Sequence, residues 1–207
     1  MKNHYRSHLN RILLLAFGFS MMAVGIVLIV ESQLGANSWN VFHIGLYNRT
    51  PLTLGAAIQV TSLSLVAFNW TFGEKPGVAT FLELIVIGVL VDILQYYSII
   101  PVAKFVWLKY VFVLSGVTLL GFGIALYIKA DMGKGARDGV MFVLTRILPW
   151  PLAIVRTVIE VVVLLLGYLL SGPVGMGTVI VTFALGWIIQ FSLRLITLVE
   201  TYYGKFT

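Results

Sequence analysis

The sequence predicts an all-α, polytopic membrane protein of six transmembrane helices, built as two inverted three-helix repeats, each with a short re-entrant or interfacial helix after its first span. Three observations predict this. Hydrophobic residues make up 59% of the chain and charged residues 11%, with a mean hydropathy of +0.99, whereas soluble domains run near about 45–50% apolar and about 25% charged. Six stretches reach the about 20 apolar residues that a bilayer core requires. Residues also recur at a constant spacing of 98 positions.

The first span covers about 11–32. Positive charge from Met1 to Arg11 precedes it, as in a secretory leader. The run from Ile12 to Val30 is longer than the about 7–15 residues of a leader core, however, and lacks a small-residue cleavage site, so it reads as a retained span. Gly35 to Asn48 is too short and too polar to cross as a helix, and residues 36–47 read as a re-entrant or interfacial helix. Thr50-Pro51 opens the second span, 52–72, and the turn Gly73-Glu74-Lys75-Pro76-Gly77 leads into the third, 78–98.

The second half follows the same order. A fourth span, 105–129, precedes a second short segment from Gly133 to Leu148, of which 134–148 reads as the helix. Pro149-Trp150-Pro151 opens the fifth span, 150–170, and Ser171-Gly172-Pro173 turns into the sixth, 174–197. The whole, 1–207, reads as one membrane domain with repeats at about 11–98 and 105–197. Gly18/Gly116, Gly25/Gly123, Gly35/Gly133, Pro51/Pro149, Gly77/Gly175, Thr80/Thr178 and Gly88/Gly186 all pair at the offset of 98 (116 − 18 = 98), with Asn40/Asp138 and Asp92/Gln190 as near matches.

Orientation follows from cations, which are retained on the cytoplasmic side. With an inside N-terminus, inner segments carry Lys2, Arg6, Arg11, Lys75, Lys129, Lys134, Arg137, Arg146, Arg194 and Lys205, against Arg49, Lys104 and Lys109 outside. Both termini are therefore expected in the cytoplasm. Three spans per half then insert the second half upside down, the inverted repeat found in many secondary transporters. The surplus of 14 Lys+Arg over 8 Asp+Glu is distributed between spans without a basic run, which argues against nucleic acid as a partner. Without cysteine there is no disulfide framework, thiolate metal site or thiol nucleophile.

Two groups of motifs carry a family resemblance. The runs Met132-Gly133-Lys134-Gly135-Ala136-Arg137-Asp138-Gly139-Val140-Met141, Val155-Arg156-Thr157-Val158-Ile159-Glu160 and Gly172-Pro173-Val174-Gly175-Met176-Gly177-Thr178 form the first, and Leu34-Gly35-Ala36-Asn37-Ser38-Trp39-Asn40-Val41 with Gly73-Glu74-Lys75-Pro76-Gly77 the second. Over roughly residues 15–195 the chain resembles the bacterial YczE/YyaS/YitT group of membrane proteins. Asn40 stands where that group usually has aspartate, and Ala136 where a proline is expected. The resemblance implies a bacterial cytoplasmic (inner) membrane location and little about substrate.

Charged residues within apolar segments are functional by default, because an ionised group at the centre of a span costs about 2.5–3.5 kcal/mol on insertion scales. Arg156 and Glu160 are four residues apart on one face of the fifth span, about 9 Å and about 15 Å deep at 1.5 Å per residue. They form either a structural ion pair or a charged site lining. Arg137 and Asp138 lie among Gly133, Gly135 and Gly139, where backbone can approach a ligand and the guanidinium fork suits a carboxylate or phosphate. Their counterparts Trp39 and Asn40 complete the candidate solute-binding set, with Asp92 of the third span either a member or a cap. His43 reads as a hydrated group near an interface, and Glu83 lies near the start of the third span.

There is no His-Glu-x-x-His, Gly-x-Ser-x-Gly or Walker sequence, so metalloprotease, serine hydrolase and ATPase chemistry lack their groups, and neither a cofactor nor a metal is expected. The expected function is that of a small secondary transporter or membrane substrate-binding protein for a small solute, with an anion favoured. The alternative is a non-transporting partner or assembly factor for another complex. Expected contacts are the lipid bilayer, the solute, and a homodimer or other membrane protein.

Overall fold

The computed structural model describes residues 8–133 and 135–203. Lys2, Arg6, Lys134 and Lys205 of the orientation argument lie outside the described residues. The elements are α1 (His8–Glu31), α2 (Ser38–Arg49), α3 (Leu54–Thr71), α4 (Val78–Tyr96), α5 (Val106–Ala130), α6 (Ala136–Ile147), α7 (Leu152–Leu169) and α8 (Met176–Tyr203). No strand occurs among the described residues.

Helix starts recur at the spacing read from the sequence: α2 and α6 begin at 38 and 136, α3 and α7 at 54 and 152, α4 and α8 at 78 and 176, each 98 apart (136 − 38 = 98). Left-handed backbone recurs with them, at Gln33 and Asp131, Gly35 and Gly133, and Gly73 and Ser171. The starts of α4 and α8 share a device. Thr80 Oγ1 accepts from the Gly77 amide at 3.1 Å, and Thr178 Oγ1 accepts from the Gly175 amide at 3.2 Å, which satisfies an amide that a helix start leaves open.

The centre is the antiparallel crossing of α1 and α5. Lipid tails are as apolar as leucine, so helices associate in a bilayer through close packing, which small residues allow. A Cβ at Gly25 would stand 2.7 Å from the Gly116 carbonyl oxygen, and one at Gly123 would stand 2.6 Å from that of Gly18. Phe19, Val27, Val113 and Val117 are buried around this crossing, and the Phe19 ring sits 5.8 Å from that of Tyr127.

The two short helices start at the interior and end at opposite ends of the bundle. The segment before α2 is tied to the start of α8, where the Gly177 amide donates to the Leu34 carbonyl at 2.7 Å. The last residues of α2 return to that end, Asn48 Nδ2 donating to the Ser171 carbonyl at 3.0 Å and Arg49 to Ser171 Oγ at 2.7 Å. At the other end, the Ala79 amide donates to the Met132 carbonyl at 3.2 Å, and Arg146 at the end of α6 donates to the Phe72 carbonyl and lies 3.6 Å from Glu74.

Four helices, α1, α4, α5 and α8, are long and apolar enough to cross a membrane, with α2 and α3 passing only together as a pair bent by 117°. Length and composition thus support four to five of the six expected spans among the described residues. The stretch 52–72 falls short alone because α3 carries Gln59, Thr61, Ser62, Ser64 and Asn69. The halves also differ in packing: α3 lies along α4, whereas α7 barely touches α8. Accordingly, a Cβ at Gly88 would collide with Gln59 at 2.5 Å, while one at Gly186, 98 positions on, would meet nothing within 4 Å.

Candidate functional site

Because α7 stands away from α8, a cavity of about 150 Å³ opens between them and reaches the starts of α2 and α6. Asn37 and Trp39 line it from α2 and its cap; Gly135, Arg137, Asp138 and Met141 from α6 and its cap; Arg156, Ile159 and Glu160 from α7. Met22, Glu83, Ile124, Tyr127, Leu185 and Ile189 close it from the four longer helices. A second cavity of about 50 Å³ adjoins it, sharing Asn37, Glu83 and Arg137 and adding Asn40 and Ser62. A dry space of about 150 Å³ accommodates a molecule of about six heavy atoms, so the pair of cavities suits a small solute.

The geometry brings together six of the seven residues singled out from sequence. Arg137, Asp138, Arg156, Glu160 and Trp39 line the larger cavity and Asn40 the smaller. The Arg137 guanidinium lies over the Trp39 ring, 5.1 Å from its centroid, a cation–π contact. Glu83, Glu160 and Asp138 are the carboxylates whose charge acts on Arg137, and Arg137 and Arg156 act in turn on Asp138. Arg137 makes no hydrogen bond or ion pair among the described residues, so its fork remains open to a ligand.

Asp92 is placed elsewhere. Its carboxylate accepts from Thr53 Oγ1 at 2.6 Å and from the Gly55 amide at 2.7 Å, which makes it a cap on the start of α3, beside a separate cleft lined by Tyr47, Tyr96 and Tyr97. His43 differs from its expected hydration: it is fully buried, and neither ring nitrogen has a hydrogen-bond partner among the described residues. Trp39, 6% exposed, is a buried cavity wall. The Gly175 to Thr178 turn serves the packing of α8 on Leu34 and Gly35.

Three lining groups lay outside the set chosen from sequence. Asn37 Oδ1 is buried without a hydrogen-bond partner among the described residues, although buried polar atoms are paired in the large majority of cases, and the buried Glu83 carboxylate and Tyr127 hydroxyl interact with each other. Glu83 belongs to α4, and its counterpart 98 positions on is Val181, so the repeat pattern carried no signal for it. The available signal was a carboxylate five residues into an apolar helix.

Residues 9–194 match a family of unknown function, DUF6198. An uncharacterised protein of Haemophilus influenzae is 34% identical over 183 residues, covering 88% of this chain and 83% of its own. The uncharacterised membrane protein YczE of Bacillus subtilis is 31% identical over 179 residues, covering 85% and 82%. The uncharacterised protein YyaS of the same organism is 22% identical over 169 residues, covering 79% and 82%. No solved structure matches. An all-helical chain with several apolar spans, matched along most of its length in this way, belongs to the DUF6198 family and is a YczE-like bacterial membrane protein.

Proposed function

We propose that the chain is a small secondary transporter that binds its solute in the central cavity between the starts of α2 and α6. The observation that carries this reading is the convergence, in one space, of polar groups from two helix starts and from α4: Arg137 and Asn40 Nδ2 as unpartnered donors, Asn37 Oδ1 as an unpartnered acceptor, and the buried Glu83 carboxylate beside them. Interrupted helices whose starts meet at mid-membrane are how transporter folds present polar groups to a solute without exposing backbone to lipid. A partner or scaffold protein has no need for such a cavity.

The difference between the halves supports the same reading. A carrier must open its site to one side at a time, and inverted halves achieve this by adopting different packings. The closed pair α3–α4 and the open pair α7–α8 are two such packings of equivalent elements. In this account α1, α3, α4, α5, α7 and α8 are six spans, α2 and α6 are re-entrant, both termini are cytoplasmic, and the second half is inserted upside down in the bacterial inner membrane. The role is that of a carrier and not an enzyme.

The test is a solute screen on the purified full-length protein in detergent. A ligand that binds only the folded state raises the melting temperature. At least one small solute is expected to do so, and to lose its effect in Arg137→Gln. A broad screen without any such solute would oppose the reading and favour the partner role.

A further inference from the structure

Resting on that reading of the cavity as a solute site, we propose that the solute is a zwitterion of small amino-acid size, its carboxylate held at the start of α2 and its ammonium group facing Glu83, Glu160 and Asn37. The two helix starts occupy corresponding positions but differ in charge. The start of α6 is neutralised by the chain itself, since a Cβ at its cap, Gly135, would lie 3.4 Å from Asp138 Oδ2 and 3.4 Å from Glu83 Oε2. Negative groups are favoured at the positive end of a helix. The start of α2 has neither carboxylate: Asn40 stands where Asp138 stands (138 − 40 = 98), and Val181 where Glu83 stands (181 − 83 = 98).

A second observation points to an occupant there. Asn40 is 2% exposed, and its Nδ2 has no partner among the described residues while lining the smaller cavity. Arg137, unpaired and lying on Trp39, lines the same cavity. An amide donor, a guanidinium and a helix start converge where a carboxylate fits, and the bidentate arginine–carboxylate geometry gives that contact its specificity. A carboxylate alone, however, would leave Asn37 Oδ1 unsatisfied and would add charge to a site already holding three carboxylates against two guanidinium groups. A single molecule bearing both an anionic and a cationic group satisfies both sets, and about six heavy atoms is the size of alanine.

The experiment compares alanine, propionate and ethylamine as probes of the melting temperature of the full-length protein in detergent. Alanine is expected to raise it, with propionate and ethylamine each giving less than half the shift. Propionate or ethylamine matching alanine, or no effect from alanine or glycine, would overturn the zwitterion. Asn40→Asp supplies the start of α2 with its own carboxylate, so alanine binding is expected to weaken at least tenfold; the probe comparison stands on the wild-type protein even if this variant folds poorly. If another solute from the broad screen shifts the melting temperature and loses its effect in Arg137→Gln, the carrier reading survives the failure of the zwitterion. If no solute does, both fall.

Discussion

The Arg137 guanidinium stands 5.1 Å from the ring centroid of Trp39, and the two residues occupy the same position in the two halves of the chain (137 − 39 = 98). Corresponding points on two short helices are therefore brought face to face at the cavity, one as a cation and the other as the aromatic surface beneath it. Cation–π contacts of this kind contribute about 0.5–1 kcal/mol when exposed and about 2 kcal/mol when desolvated. Trp39→Leu is expected to release Arg137 from this placement and weaken solute binding severalfold, with a smaller effect on melting than loss of a core aromatic such as Phe19. Titration of the variant with a solute found in the screen checks this.

Asp92→Ala separates a cap from a site residue. Removing the carboxylate that accepts from Thr53 Oγ1 and the Gly55 amide should lower stability by about 0.5–2 kcal/mol, as for other lost helix caps. Solute affinity at the Arg137 cavity should stay within about twofold of wild type. A large loss of affinity at unchanged stability would return Asp92 to the binding set.

Gly88 and Gly186 test the difference between the halves. Gly88→Leu overpacks a contact in which even a Cβ collides with Gln59, and overpacking costs about 1–3 kcal/mol. Gly186→Leu meets open space and removes a glycine that is about 1 kcal/mol unfavourable in a helix interior, so its melting temperature should equal or exceed that of wild type. If α7 must close on α8 during transport, Gly186→Leu should bind solute yet fail to carry it across proteoliposome membranes. Normal uptake by this variant would remove the closing motion from the account.

Topology can be read by thiol labelling, because the chain contains no cysteine. Single cysteines at Asn48 and Lys104 are expected to label from outside the cell and those at Lys75 and Arg146 only from inside. Labelling of positions 48 and 146 from the same side would contradict both the re-entrant helices and the inversion of the halves.

The order of elements was legible in the sequence because glycine, proline and threonine fix turns and helix starts locally, and those residues recur at 98. Arg137, Asp138, Arg156 and Glu160 were legible because charge within apolar segments is costly and stands out. Glu83, Asn37 and Tyr127 were not, since which face of an apolar helix meets the cavity depends on how α1, α4 and α5 pack, a long-range property absent from local pattern. Asp92 shows the converse: its depth in α4 suited a site or a cap equally, and only the position of Thr53 and Gly55 beside it decides. The polar residues of α3 have local uses, with Ser62 facing the smaller cavity and Ser64 donating to the Val60 carbonyl at 2.8 Å within its own helix.

The most direct test of the cavity as a solute site is the double variant Arg156→Leu with Glu160→Leu, measured for melting and for solute binding on the same preparation. Breaking one member of a charged pair leaves an uncompensated charge, whereas apolar replacement of both is often neutral or stabilising, so the double change tests function without the confusion of single changes. The account predicts a protein that inserts normally, melts at or above the wild-type temperature, and binds solute at least tenfold more weakly. A stable double variant with wild-type solute binding would contradict it and leave these charges as a structural pair.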